Sequence, residues 1–200
     1  MDTLIKNYSR ITNNLVHRVN ETRGLGRRTR DSLIPKKERL AFIEAVQLTT
    51  QQGLTASLMS EATIRLKIAG HIMGIKPNVW VSQIDENDLF IATGNRIIEG
   101  NKLPTHFHLH QQLYQYHSNI KAVLLSQPAA AMAFLAGGNV PAVKIQGLNI
   151  SICFDSIMNF TATTDALFVE NIGLITVGES IQMAAARADA LNRICEIELQ

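Results

Sequence analysis

Cysteine is scarce in this sequence. Cys153 and Cys195 are the only two, they stand far apart, and neither belongs to a CxxC pair. That excludes a disulfide-stapled scaffold and the usual cysteine metal sites. It suits a reducing compartment, the cytoplasm, with both thiols acting as small buried apolar groups. Long hydrophobic runs are also missing. None reaches the roughly 18–20 residues that span a bilayer, so no membrane segment is expected. The first fifteen residues are polar and lack the apolar core of a secretory signal. Aromatic residues make up only 6% of the chain, and the basic stretch 24–31 has none to stack on a base, so nucleic acid is not an expected partner.

What is there is a globular composition. The 200 residues are 46% hydrophobic and 18% charged, enough for one well-filled core. The net charge of +2 hides an asymmetry. Ten Lys/Arg and four acids fall in residues 1–40, which leaves nine and thirteen for the remainder. The basic segment reads as a solvated arm that docks on an acidic body, its own or a neighbour's.

Periodicity places the elements. Leu4, Tyr8, Ile11, Leu15 and Val19 mark an amphipathic helix, and Gly24 and Gly26 begin a polar linker to Pro35. A second helix follows, with Leu40, Ile43, Val46 (or Gln47) and Thr50 on one face and Gly53 at its end. Residues 58–72 predict a third helix. Val79 to Val81 and Leu89 to Ile91 predict a hairpin, followed by a turn at residues 92–95. Residues 120–125 form a continuous apolar run, which predicts a buried strand. A short helix opens at Pro128 and is capped by Gly137 and Gly138. Strands are expected over 143–145, 148–154, 167–170 and 174–177, and a closing helix over 179–197. This order predicts an α/β fold with one central, mostly antiparallel sheet, carried by residues 36–200 behind a basic helical extension over 1–35.

Four of the six histidines, His106, His108, His110 and His117, fall in one stretch. On a helix starting near Thr105, His106 and His110 share a face, with Leu113 and His117 continuing the stripe. Two imidazoles four residues apart can share one metal ion, although a catalytic metal needs at least one more ligand. Surface or packing histidines are the alternative reading. Cys153, beside Asp155, has no histidine near it in sequence to make it a nucleophile.

Residues 100–115, GNKLPTHFHLHQQLYQ, followed by NIKAVLLSQP, resemble the core of the class II aldolase/adducin family, which includes sugar-phosphate aldolases. Lys102-Leu103-Pro104 resembles the family's GKLPSSE-type turn. His110 falls on its helical histidine, and Leu113-Tyr114 on an aliphatic-Tyr pair. Ala122-Val123-Leu124 resembles the start of its AVVHxH strand, and Asn171-Ile172-Gly173-Leu174-Ile175 its HHGLI turn. Gly178 and Ala184-Ala185 resemble the lead into its last helix. The resemblance covers roughly residues 36–197. It implies a three-layer α/β/α domain, a homo-oligomer such as a tetramer with clefts between subunits, and a phosphorylated small-molecule ligand.

The departures from the family bear on activity. The resemblance places the family's zinc ligands at Leu125, Gln127 and Ile172, none of which is histidine. Its general acid/base glutamate falls on His106. Thr105 stands for one of two phosphate-binding serines, and Thr93-Gly94 for a Ser-Gly turn that offers a hydroxyl and an N–H to phosphate. The family's GNxS phosphate loop has no counterpart in residues 53–58 or 78–82. The expectation is therefore a kept fold without zinc-dependent activity, a pseudoenzyme that binds a small anion or a protein and carries no cofactor. The alternative is an active lyase with a rebuilt site. That site would have His106 as its catalytic residue among His106, His108 and His110, phosphate contacts from Thr93, Gly94 and Thr105, and zinc on His106 and His110.

Overall fold

A computed structural model describes residues 33–55, 60–68, 70–137, 150–153, 164–169 and 171–200. The chain divides into two compact units, Met1–Pro35 and Lys36–Gln200. The expected helix over 4–19 and its linker up to residue 32 lie outside the described residues, as do the expected strand at 143–145 and the Gly138 cap.

In chain order the second unit runs as follows. Helix α1 spans Lys36–Gln51. Strands β1 (Glu61–Arg65), β2 (His71–Ile75), β3 (Leu89–Thr93) and β4 (Arg96–Glu99) come next. Then follow α2 (Phe107–Tyr116), β5 (Ala122–Ser126), α3 (Ala129–Ala136), β6 (Ile150–Cys153), β7 (Ala166–Val169), β8 (Gly173–Gly178) and α4 (Ile181–Glu198). The strands form a single sheet in the order β4-β3-β2-β1-β5-β8-β7-β6. Every neighbouring pair is antiparallel except β6 and β7.

Strand β5, in the middle of the sheet, is buried along its whole length and so on both faces, which is why it reads as an unbroken apolar run. Side chains alternate between the faces. On one face Val123, Leu125, Leu167, Ile175 and Val177 pack with Phe107, Leu109, Leu113 and Tyr114 of the α2 segment. On the other, Thr176 donates its hydroxyl to the Ala184 carbonyl of α4 at 2.8 Å. Helix α4 carries a buried stripe through Ala184, Ala188, Leu191 and Cys195, and burial pushes the Cys195 thiol up to about 11. Ser180 caps it by accepting from the Met183 N–H. Gly53, at φ +73, ends α1 as expected.

Three expectations need correction. Residues 61–65 and 71–75 are strands, not part of a third helix. Ala62 and Leu66 fit a helical period, but Glu61-Ala62-Thr63-Ile64-Arg65 also alternates strictly, and Thr63 and Ile64 are β-branched. Pairing with β5 on one side and β2 on the other decides between the two periods. Val79 to Val81 is not a strand either. Pro77 and Asn78 (φ +62) break the chain there, Val81–Gln83 is a single 3-10 turn, and β3 pairs with β2 and β4 instead. On α1 the buried face runs through Arg39, Phe42, Ile43, Val46 and Thr49, while Leu40 is exposed. Arg39 turns inward because it pairs with Glu99.

Candidate functional site

Strand β1 sends three polar residues, Glu61, Thr63 and Arg65, to the sheet face covered by α2. Helix α2 answers with residues at a spacing of four. Two residues along a strand advance about 6.6 Å and four along a helix about 6 Å, so the two polar columns stay in step. Gly74, directly opposite Thr63, keeps the facing strand close. A Cβ there would lie 2.7 Å from the Ala62 carbonyl and 2.8 Å from the Phe90 ring.

Arg65 closes the C-terminal end of the helix. Its guanidinium donates to the Tyr114 carbonyl, and to the His117 carbonyl at 3.2 Å, and it lies 5.1 Å from the Tyr114 ring centroid. Thr63 sits at the centre. Tyr114 donates its hydroxyl to the Thr63 carbonyl at 2.9 Å and lies 3.0 Å from the Thr63 hydroxyl, which in turn is 2.8 Å from His110 Nδ1. Both partners are enclosed. Burial holds the His110 pKa down to about 3, helped by neighbouring His106 and His108, so the ring is neutral. Burial likewise raises the Tyr114 phenol above its ordinary 10.

Glu61 occupies the N-terminal end. Its Oε1 accepts two hydrogen bonds, both of 3.0 Å and both from His106, one from the main-chain N–H and one at Nδ1. Its Oε2 lies 3.5 Å from His110 Nε2, and each of these two buried atoms has no hydrogen-bond partner. The Glu61 side chain is 7% exposed and that of His106 15%. Burial raises the Glu61 pKa above its ordinary 4.5, against the opposing pull of the His106 N–H.

The three positions at which the resemblance puts zinc ligands do come together. Leu125 pairs directly with Glu61 across β1 and β5. Gln127 Nε2 donates to the Ile172 carbonyl at 2.7 Å. Gly173 (φ +143) follows Ile172 in left-handed space where a Cβ would lie 2.6 Å from the Ser126 carbonyl and 3.4 Å from Leu125 Cδ1, so only glycine lets β8 approach β5 there. The side chains do not fit the metal. Leu125 is 1% exposed, Ile172 packs against the same apolar cluster, and neither has a lone pair to give. Among the described residues no group of three or more His, Cys, Asp or Glu side chains is arranged to hold a metal ion.

The structure brings His106 and His110 to one carboxylate. It does not bring the other expected residues to the same place. His108 and Thr105 are exposed beside them on the helix start. Thr93 ends β3 and Gly94 opens its turn to β4, and Thr93 pairs with His71, near the Arg65 end of β1 and opposite the Glu61 end. His117 ends α2, where its carbonyl accepts from Arg65. Sequence reasoning missed Glu61, Thr63 and Arg65. The period-two alternation of polar residues in 61–65 was the available signal. It becomes legible only when α2 is read with His110 and Tyr114, rather than Leu113, as its polar stripe.

No curated protein matches the sequence. Solved structures do match in fold. L-fuculose 1-phosphate aldolase from Glaciozyma antarctica is 20% identical with a TM-score of 0.70, covering 80% of this chain and 71% of that one. L-fuculose-1-phosphate aldolase from Thermus thermophilus is 18% identical with a TM-score of 0.65, covering 81% and 93%. A sugar-phosphate aldolase from Thermotoga maritima is 14% identical with a TM-score of 0.62, covering 82% and 94%. At these identities the likeness is one of fold. The sequence model of the class II aldolase and adducin N-terminal domain matches residues 41–199, nearly the whole second unit and the site within it, and this chain belongs to that family.

Proposed function

We propose that this protein keeps the class II aldolase fold without the family's zinc-dependent reaction, and serves to bind a small anion or a protein partner. The observation that supports this reading is the meeting of Leu125, Gln127 and Ile172 at the end of β5 and β8. A metal that polarises a carbonyl needs nitrogen, sulfur or oxygen donors. At this spot two side chains are hydrocarbon, and the amide of the third donates to a main-chain carbonyl. In this reading the chain is cytoplasmic and carries no cofactor. It works as a homo-oligomer, for example a tetramer, with residues 1–35 as a basic extension to the domain of 36–200. A phosphorylated small molecule is the ligand class to test first, with Thr105 as a hydroxyl contact near His106 and Thr93-Gly94 as a separate one.

A second reading has one specific observation in its favour. Glu61, His106 and His110 meet beside the Leu125 position, with two of their buried atoms unpartnered. Such groups are a hallmark of sites where chemistry is done. Here a lyase would work through His106 at a rebuilt site.

The test is metal analysis of the purified protein, followed by a retro-aldol assay on ketose phosphates with and without added zinc. The first reading expects no stoichiometric zinc and no cleavage in either condition. Stoichiometric zinc with zinc-dependent cleavage would overturn it. Zinc-independent cleavage that is lost in His106→Gln would establish the second reading in its place.

A further inference from the structure

Most buried carboxylates that serve only the fold are bonded at both oxygens, because an unpaired one is costly. Glu61 is bonded at one, and both bonds go to a single residue. Capping α2 requires the first of these, from the main-chain N–H of His106. It does not require the second, which holds the imidazole at Nδ1. A carboxylate oxygen only accepts, so the ring bonded to ionised Glu61 carries its proton on Nδ1. In the neutral ring Nε2 is then the bare nitrogen. Among the described residues no partner engages that nitrogen, and the side chain retains some exposure.

We propose that Glu61 is the positioning residue of a carboxylate–imidazole pair that fixes His106 in the Nδ1–H form and offers His106 Nε2 as a metal-independent proton acceptor. This rests on the second reading above. The ligand class is a small hydroxylated molecule. Its O–H bond breaks, an Nε2–H bond forms, and the electron pair stays on the ligand oxygen while the imidazolium remains against the Glu61 carboxylate. Reversal returns the proton. His110 backs the pair from the other side. Its Nδ1 is held by Thr63, so its Nε2 stays directed at the second carboxylate oxygen.

Two readouts test the pair without a known substrate. Ring-nitrogen NMR of the 15N-labelled full chain, with the His106 signals assigned by their loss in His106→Gln, reads the tautomer. The wild type is expected to show Nδ1–H with a bare Nε2. Glu61→Gln, whose amide oxygen still accepts, is expected to keep that form, and Glu61→Ala to shift it toward Nε2–H. Acylation by diethyl pyrocarbonate, mapped by mass spectrometry, reads the bare nitrogen. Modification of His106 is expected to match or exceed that of the more exposed His108, and to fall several-fold in Glu61→Ala. An Nε2–H ring in the wild type, or a tautomer and acylation rate that ignore Glu61→Ala, would reduce Glu61 to a helix cap. Added zinc that shifts the His106 and His110 signals together would assign the cluster to a metal instead. The retro-aldol assay fails or succeeds separately, because neither readout involves turnover.

Discussion

Two patches lie side by side at the same end of the sheet. At one, where β5 meets the β7–β8 turn, Leu125 and Ile172 pack as hydrocarbon and Gln127 is tied to a carbonyl. At the other, one strand away, Glu61 and His110 keep buried, unpartnered atoms 3.5 Å apart. The first has the character of a finished core. The second carries an unpaid cost that repacking with apolar residues would remove. The apolar character of one patch therefore does not extend to its neighbour.

The largest effect that can break this contrast is the pH dependence of the polar patch. His110 is neutral in the fold, its pKa depressed to about 3 from an ordinary 6.5. A depressed histidine contributes stability that is present above 6.5 and is lost as the pH falls toward 3, because the unfolded chain takes up a proton that the fold refuses. Across that window the loss amounts to several kcal/mol, at roughly 1.4 kcal/mol per pH unit. Urea unfolding at pH 7 and pH 4.5 is expected to show a steeper acid decline in the wild type than in His110→Leu. Equal slopes would mean that His110 is solvated and the patch is not sealed.

The apolar patch is expected to respond to volume instead. Leu125 lies wholly within the cluster beneath α2. Leu125→Ala removes buried hydrocarbon and leaves a cavity, at a cost of about 2–5 kcal/mol that does not vary with pH. A loss under 1 kcal/mol, measured by the same unfolding experiment, would show that the site collapses easily or admits water. The position would then be a vacated pocket rather than core.

The fold was largely legible because its signals are local. The apolar run of β5, the cap and stripe of α4 and the Gly53 stop on α1 each specify an element from a few residues. What sequence could not give was set by distant pairing. Residues 61–65 satisfy a helical and a strand period at once, and only their place between β5 and β2 resolves it. The site was obscured for the same reason. His106 and His110 are conspicuous in the sequence, but Glu61 lies 45 residues from His106 and meets it only after β1 enters the sheet. The Leu125–Gln127–Ile172 patch was found because the resemblance named positions, and those positions do meet. The contact of Thr93-Gly94 with the same place did not follow, because the β3–β4 turn lies near the opposite end of β1.

Glu61 itself offers a sharper, smaller test. Its raised pKa means that the fold holds the ionised form less favourably than the unfolded chain does. The contribution is fully present below 4.5 and is lost as the pH rises through the elevated folded value. Glu61→Gln keeps an acceptor for His106 and removes the charge. It is expected to gain about 1 kcal/mol near neutral pH, roughly 2–4 °C in Tm, with the advantage vanishing below pH 4. A stability gain on losing the carboxylate would mark Glu61 as retained for something other than stability. A Tm that falls on substitution would make it an ordinary structural acid.

The smallest effect should come from Gln127, and it separates the patches in another way. Its bond to the Ile172 carbonyl is short but only partly buried. Gln127→Ala is therefore expected to cost about 0.5–1.5 kcal/mol, the usual net worth of one such bond. Because Gln127 touches neither Glu61 nor His106 in any bond described, the cost should add to that of Glu61→Gln, with a coupling energy below roughly 0.5 kcal/mol in a double-mutant cycle. Strong coupling would mean that the two patches are one site, with Gln127 as its third polar member. The contrast between a finished core and a working cluster would then give way to a single rebuilt centre.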